Sequence, residues 1–239
     1  MRKIYRESFG YFLSSLPVLL IFAFIIEALP WVLQPRSEAL ISVVALTIIA
    51  YYFHRHFLFE EKLALRNAPI AKGAPPLKFG WFLSVTAALI LVPVAATFIV
   101  VLQYSDMPAP GLIVIMFFLA YFLTLCLFGT ALPAAVARDG TFRLSQGLRA
   151  GFQTMWRLVA GPGLVGAVLF AVILASTLGL QAAGVPEDSL IMLGLFMLMR
   201  TLGFLPTIFA VAVLCEMYRK TRPAPRLGQG AEGSDHTPA

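Results

Sequence analysis

The chain has 239 residues, of which 59% are hydrophobic and only 13% charged, and its formal net charge is +6. A soluble domain carries roughly 25% charged residues, so folding around a single core in water is excluded. The apolar residues run in long blocks, as a hydrocarbon layer about 30 Å thick requires of helices. They do not alternate over about ten residues, as the strands of a membrane barrel would. The basic residues cluster beside the blocks, which reads as membrane topology and argues against a nucleic-acid partner.

The first residues, Met1-Arg2-Lys3-Ile4-Tyr5-Arg6, are basic and lead into an apolar stretch over 9–33. That stretch is longer than the about 7–15 residues of a signal-peptide core, and no A-x-A-like site ends it, so it is expected to stay as the first span. Six spans are expected at about 11–33, 39–59, 79–103, 111–136, 158–181 and 189–218, each long enough at 1.5 Å per residue to cross. The breaks at Gln34-Pro35-Arg36-Ser37, at 105–111 and at Gly184-Val185-Pro186-Glu187-Asp188 carry the Pro and Gly that stop helices.

One side of such a bundle receives 16 of the 18 Lys and Arg residues, from the N-terminus and from the stretches 55–78, 138–157 and 219–226. The opposite side receives only Arg36, beside Glu38, Asp106, Glu187 and Asp188. The positive-inside rule makes the basic side cytoplasmic, with both termini there, and a bacterial inner membrane is the expected location. Trp31 and Tyr104 then fall at the outer interface, and Tyr11, Tyr51, Tyr52, Trp81, Trp156 and Tyr218 at the inner one, a depth suited to amphipathic rings. The domain reading is a six-span unit over 1–220 and a disordered cytoplasmic tail over 221–239, rich in Pro, Gly and polar residues. Cys126 and Cys215 lie inside apolar blocks without metal-ligand spacing and read as reduced packing residues. No metal or cofactor is expected.

Phe9-Gly10-Tyr11-Phe12-Leu13-Ser14 opens the first span, and Phe79-Gly80-Trp81-Phe82-Leu83-Ser84 opens the third. A fainter echo, Gly151-Phe152 leading to Trp156, precedes the fifth, and Pro133 and Pro206 occupy related places in the fourth and sixth. These echoes predict three helical hairpins of one orientation. Chance recurrence in an aromatic-rich chain is the alternative.

Between the fourth and fifth spans, Leu144, Leu148, Phe152, Met155 and Trp156 recur at helical spacing, with Arg149, Gln153 and Arg157 on another face. That pattern predicts an amphipathic helix in the plane of the membrane, with Arg143, Arg149, Trp156 and Arg157 as candidate lipid-interface residues. It serves either as a plain anchor or as a regulatory lipid contact. His54 and His56 flank Arg55 at the end of the second span, and Glu60 follows His56 by four residues. Two ligands make a poor metal site, and residues two apart on a helix diverge, so interfacial snorkelling is the preferred reading.

In the fifth span Gly163, Ala167, Ala171, Ala175 and Gly179 recur at strict four-residue intervals. They form a candidate packing stripe for an internal helix or for a membrane-protein partner. Glu27 and Arg200 lie inside the first and sixth spans, where each ionisable group calls for a partner. The predicted Glu27–Arg200 pair either fixes helix packing or lines a path for substrate or protons.

The segment 128–140, Phe-Gly-Thr-Ala-Leu-Pro-Ala-Ala-Val-Ala-Arg-Asp-Gly, is followed by Leu144-Ser145-Gln146-Gly147 and by the closing Cys215-Glu216-Met217-Tyr218-Arg219-Lys220. Over the C-terminal half, this pattern resembles uncharacterised bacterial six-span inner-membrane proteins and the membrane region attached to some glycerophosphodiester phosphodiesterases. The resemblance implies an all-α polytopic transmembrane bundle; the catalytic phosphodiesterase domain is not in this sequence, so that activity does not carry over. Asp139-Gly140 is similar to the opening of the CDP-alcohol phosphotransferase signature, whose further metal-holding aspartates are lacking here. The leading expectation is a non-enzymatic protein that organises or regulates membrane partners or lipids. The alternative is a small-solute transporter in which Glu27, Arg200 and spans broken at Pro93, Pro133 and Pro206 line a cavity. Oligomeric state is not legible from the sequence.

Overall fold

The computed structural model describes residues 2–32, 38–63, 74–103, 110–186 and 189–221, and these are almost entirely helical. In chain order the elements are α1 (Arg2–Val32), α2 (Glu38–Phe59), α3 (Phe79–Leu102), α4 (Pro110–Phe128), α5 (Ala131–Ala137), α6 (Leu144–Leu158), a π turn (Val159–Gly163), α7 (Leu164–Ala182) and α8 (Leu190–Thr221). Six stretches are long and apolar enough to cross a membrane: Arg2–Glu27, Ser42–Phe59, Phe79–Leu102, Gly111–Phe128, Gly151–Ala182 and Gly194–Thr221. The molecule is a polytopic all-α bundle. Arg36, Tyr104, Asp106, Glu187, Asp188 and the tail from 222 onward lie outside the described residues, as do the side chains of Trp31, Glu38 and Leu144.

Two boundaries differ from the expectation, each for a backbone reason. The fourth span is not one helix, because α4 stops at Gly129-Thr130 and α5 begins anew. Pro133 has no N–H to give to the carbonyl of Gly129, which is taken instead by Leu132 N–H at 3.1 Å. The amphipathic segment and the fifth span, in turn, are not separated by a loop. α6 runs through the π turn into α7, with Pro162 inside that turn. The N–H of Leu164 reaches back to Val159 and Gly161, and Tyr5 on α1 donates its hydroxyl to the carbonyl of Ala160 at 2.9 Å. A wide turn and a proline disturb the ordinary ladder, and a side chain from another helix supplies a missing donor.

α8 is the central helix. With α1 and α2 it forms a core of Leu19, Ala23, Ile26, Ile49, Phe53, Phe204 and Ile208. A second core joins α2, α3, α4, α5, α6 and α8 around Phe82, Cys126, Leu132, Leu158, Leu214 and Met217. Fully burying an aliphatic or aromatic side chain contributes about 1.5–3 kcal/mol in water; within a bilayer, close packing and dispersion must do more of that work. Both cysteines are free and buried. α3 and α4 pack on each other and join the rest mainly through α5 and α6, so most of their outer surface is left to the membrane. α7 has no buried residue at all and rests on α8 and the π turn.

Candidate functional site

The basic end of the bundle is closed by polar contacts. Arg55, in the last turns of α2, is fully buried. Its Nε and Nη2 donate to the two carboxylate oxygens of Glu61 at 2.5 and 2.6 Å, and Nη1 donates to the Pro75 carbonyl at 3.0 Å. The rings of Tyr51 and Phe59 lie 5.9 and 5.5 Å from the guanidinium carbon. A bidentate arginine–carboxylate pair in a dry site is strong because every lone pair and proton is directed. Interfacial snorkelling, the preferred reading of His54 and His56, does not fit His54 or Arg55, which are both buried. Glu60 takes a left-handed backbone, φ 60°, which ends α2 and carries Glu61 back over Arg55.

The two histidines do not share a ligand. His54 is buried, with Nδ1 2.7 Å from the Ala50 carbonyl, whereas His56 stacks on Tyr11 at 3.6 Å between ring centroids. Across the same end, Arg157 and Lys220 both donate to Glu216 Oε1 at 2.7 Å. Tyr218 donates to Asp139 at 2.7 Å, and Arg219 donates to the Phe57 carbonyl at 2.6 Å, capping the end of α2 from α8. Asp139 is thus a structural acceptor, which also receives the N–H and hydroxyl of Thr141.

The aromatic residues assigned to the inner interface divide in two. Trp81 and Trp156, 65% and 68% exposed, look outward with Tyr52. Tyr11, Tyr51 and Tyr218 are buried and hold the protein together. Of the candidate lipid-interface residues, Arg143 and Arg149 are exposed and Trp156 belongs to an outward apolar face with Leu148, Phe152 and Val159. Arg157 is engaged by Glu216. The face on which α6 packs is a different one, Gly147, Gly151, Thr154 and Leu158; a methyl group on Gly147 would lie 2.8 Å from Thr130 Oγ1.

The fifth-span stripe is also turned outward. Gly163, Ala167, Ala171, Ala175 and Gly179 are all exposed, and α7 meets α8 through another face, where Gly166 faces Pro206. The internal-helix reading of the stripe is therefore corrected. A four-residue interval advances about 400° around a helix and so drifts across its surface; one side of α7 suffices for a single neighbour.

The other half of the bundle is open. Glu27, near the end of α1, accepts a hydrogen bond from Arg200 Nε at 2.7 Å, so helices 173 positions apart in sequence meet there. The pair is not sealed: the side chains of Arg200 and Glu27 are 33% and 22% exposed. Both line a cavity of about 650 Å³ walled by α1, α2, α7 and α8, with Leu46, Thr177, Phe196, Phe204 and Thr207. Arg200 uses only Nε on Glu27, and its two Nη groups have no hydrogen-bond partner among the described residues. Of the three prolines expected to line a cavity, none borders this one; Pro93 and Pro133 are buried in α3 and α5. Among the described residues no three His, Cys, Asp or Glu side chains gather as metal ligands do.

The fold and this site define an integral membrane protein of the multi-span helical class, with a charged cavity within the bundle. Comparison with protein families, curated proteins and solved structures finds no match to this chain.

Proposed function

We propose that this is a permease-type membrane protein that admits a small anionic or zwitterionic solute into the Glu27–Arg200 cavity. The observation that carries the reading is the open Arg200: a guanidinium whose two Nη groups find no partner among the described residues is suited to recognise a carboxylate or phosphate in two-pronged fashion. Glu27 holds the fork in place and offers an acceptor to an ammonium or hydroxyl. An ion pair whose only task was to fix helix packing needs no cavity beside it, and this one borders a cavity. The positive-inside distribution supports the bacterial inner membrane, with both termini cytoplasmic and the cavity in the outer half of the bundle. Of the three hairpins expected, the first two share a buried Phe at matching places, Phe12 and Phe82, while Tyr11 is buried where Trp81 is exposed.

A second reading, a protein that organises partners or lipids without transport, is favoured by the outward faces of α6 and α7. Those faces offer Arg149, Phe152 and Trp156 to lipid and the small-residue stripe to a neighbouring helix. Native mass spectrometry of the full-length protein released from nanodiscs separates the two. A small anionic adduct that Arg200→Leu removes supports the permease reading. A stoichiometric protein partner retained equally by wild type and Arg200→Leu, with no small adduct, overturns it.

A further inference from the structure

A second chamber, of about 330 Å³, lies between α2, α4, α5, the π turn and α8. Its walls are Leu125, Leu132, Leu158, Pro206, Val211 and Leu214 among others, nearly all apolar. Three polar side chains stand among them: Tyr121 and Thr207, both partly buried, and His54. His54 is 1% exposed, and with Nδ1 set against the Ala50 carbonyl on its own helix, that nitrogen must carry the proton, since a carbonyl only accepts. The opposite nitrogen, Nε2, is left as a lone-pair acceptor, buried and without a partner among the described residues. A buried polar atom without a partner costs roughly 1–3 kcal/mol, so a ligand that supplies the missing donor is favoured there.

The chemistry of that ligand follows from the walls. An anion is disfavoured, because the chamber presents a lone pair and no cation. Tyr121 and Thr207 add a hydroxyl each to a lining that, apart from His54, is otherwise hydrocarbon. The volume is at the lower end of ligand pockets, which span roughly 300–1,000 Å³. Gly163, exposed on the outer surface of the π turn, forms one edge, so the chamber reaches the face that a bilayer would cover. It touches the Glu27–Arg200 cavity only at Thr207, which lines both, and differs from it in having no charged group in its lining.

We infer that the His54 chamber is a lipid-phase binding site for an apolar molecule bearing a hydroxyl, which donates to His54 Nε2 while its hydrocarbon body lies against α4 and α8. The probe is a diazirine-bearing long-chain alcohol, with the matching diazirine alkane as its control, photolysed with the full-length protein in nanodiscs. The alcohol is expected to label peptides containing Leu158 and Leu214 in preference to the alkane. His54→Phe should lower the alcohol's labelling about ten-fold, the value of one lost hydrogen bond in a dry site, and leave the alkane's unchanged. His54→Gln, whose amide oxygen restores an acceptor, should keep most of it. Equal labelling by alcohol and alkane, or labelling indifferent to His54→Phe, overturns the inference. Should His54→Phe fail to fold, Ala210→Phe fills the chamber from α8, and labelling that persists there overturns it as well. Arg200→Leu leaves this labelling intact, so failure at one site is distinguishable from failure at the other.

Discussion

The two ends of the bundle use the same chemistry to opposite ends. At the basic end an arginine and a glutamate, Arg55 and Glu61, are sealed from solvent and bound through two nitrogens, with a backbone carbonyl and two rings completing the shell. Toward the other end Arg200 and Glu27 share a single hydrogen bond at the wall of a cavity. The difference teaches that the role of an ion pair is set by its surroundings: a fully coordinated pair has nothing left to offer a ligand, and a partly coordinated one has. The basic end closes because helix termini converge there, each bringing carbonyls that need donors, as Arg219 over the end of α2 shows.

The largest expected effect tests the sealed pair. Glu61→Ala strands a buried guanidinium, and a loss of about 3–5 kcal/mol is expected, read as a fall in thermal unfolding temperature in detergent. The double change Arg55→Met with Glu61→Leu should recover most of that loss; if it does not, the pair does more than balance charge. Next in size is Gly147→Ala, which forces a methyl group against Thr130 and the Leu127 carbonyl where α6 packs on α4. Overpacking of this kind costs about 1–3 kcal/mol. A neutral result in the same unfolding assay would show that α6 is loosely held.

The open pair should behave differently. In a double-mutant cycle of Glu27→Leu and Arg200→Leu, the expected coupling is on the order of 1 kcal/mol, well below that of Arg55 and Glu61, because both side chains keep partial exposure. Strict additivity would mean that the two residues do not depend on each other, and a coupling as large as the sealed pair's would erase the contrast between the two ends. The smallest effect is expected on α7: Ala171→Leu lies on an outward face and should change stability by no more than about 0.5 kcal/mol. A substantially larger loss, or a change in oligomer size on chromatography, would reveal a neighbour against that face.

Much of the fold was legible because its signals are local. Helix length, the K/R distribution and the breaks at Pro and Gly are properties of the chain itself, and the six apolar helices follow from them. What was misread depended on direction. The stripe on the fifth span was recognised as a surface, yet it points outward; the apolar face of the 144–158 segment points outward in the direction expected of it, while the inward face of α6, built on glycines, carries no hydrophobic signal. The Arg55–Glu61 pair was not legible, because the left-handed turn at Glu60 lies past the helix end and breaks the helical spacing from which neighbours are read.

The sequence by itself determined that this chain is a multi-span helical membrane protein, since burying so much apolar surface in water is impossible and helices satisfy their own backbone in lipid. It also marked Glu27 and Arg200 as groups in need of partners. Tertiary structure alone decided that Arg55 is sealed while Arg200 borders a cavity, and that His54 lines a mostly apolar chamber with Nε2 unpartnered among the described residues. Those outcomes depend on how helices far apart in the chain lean together, a matter of packing over long sequence distances to which no local pattern gives access.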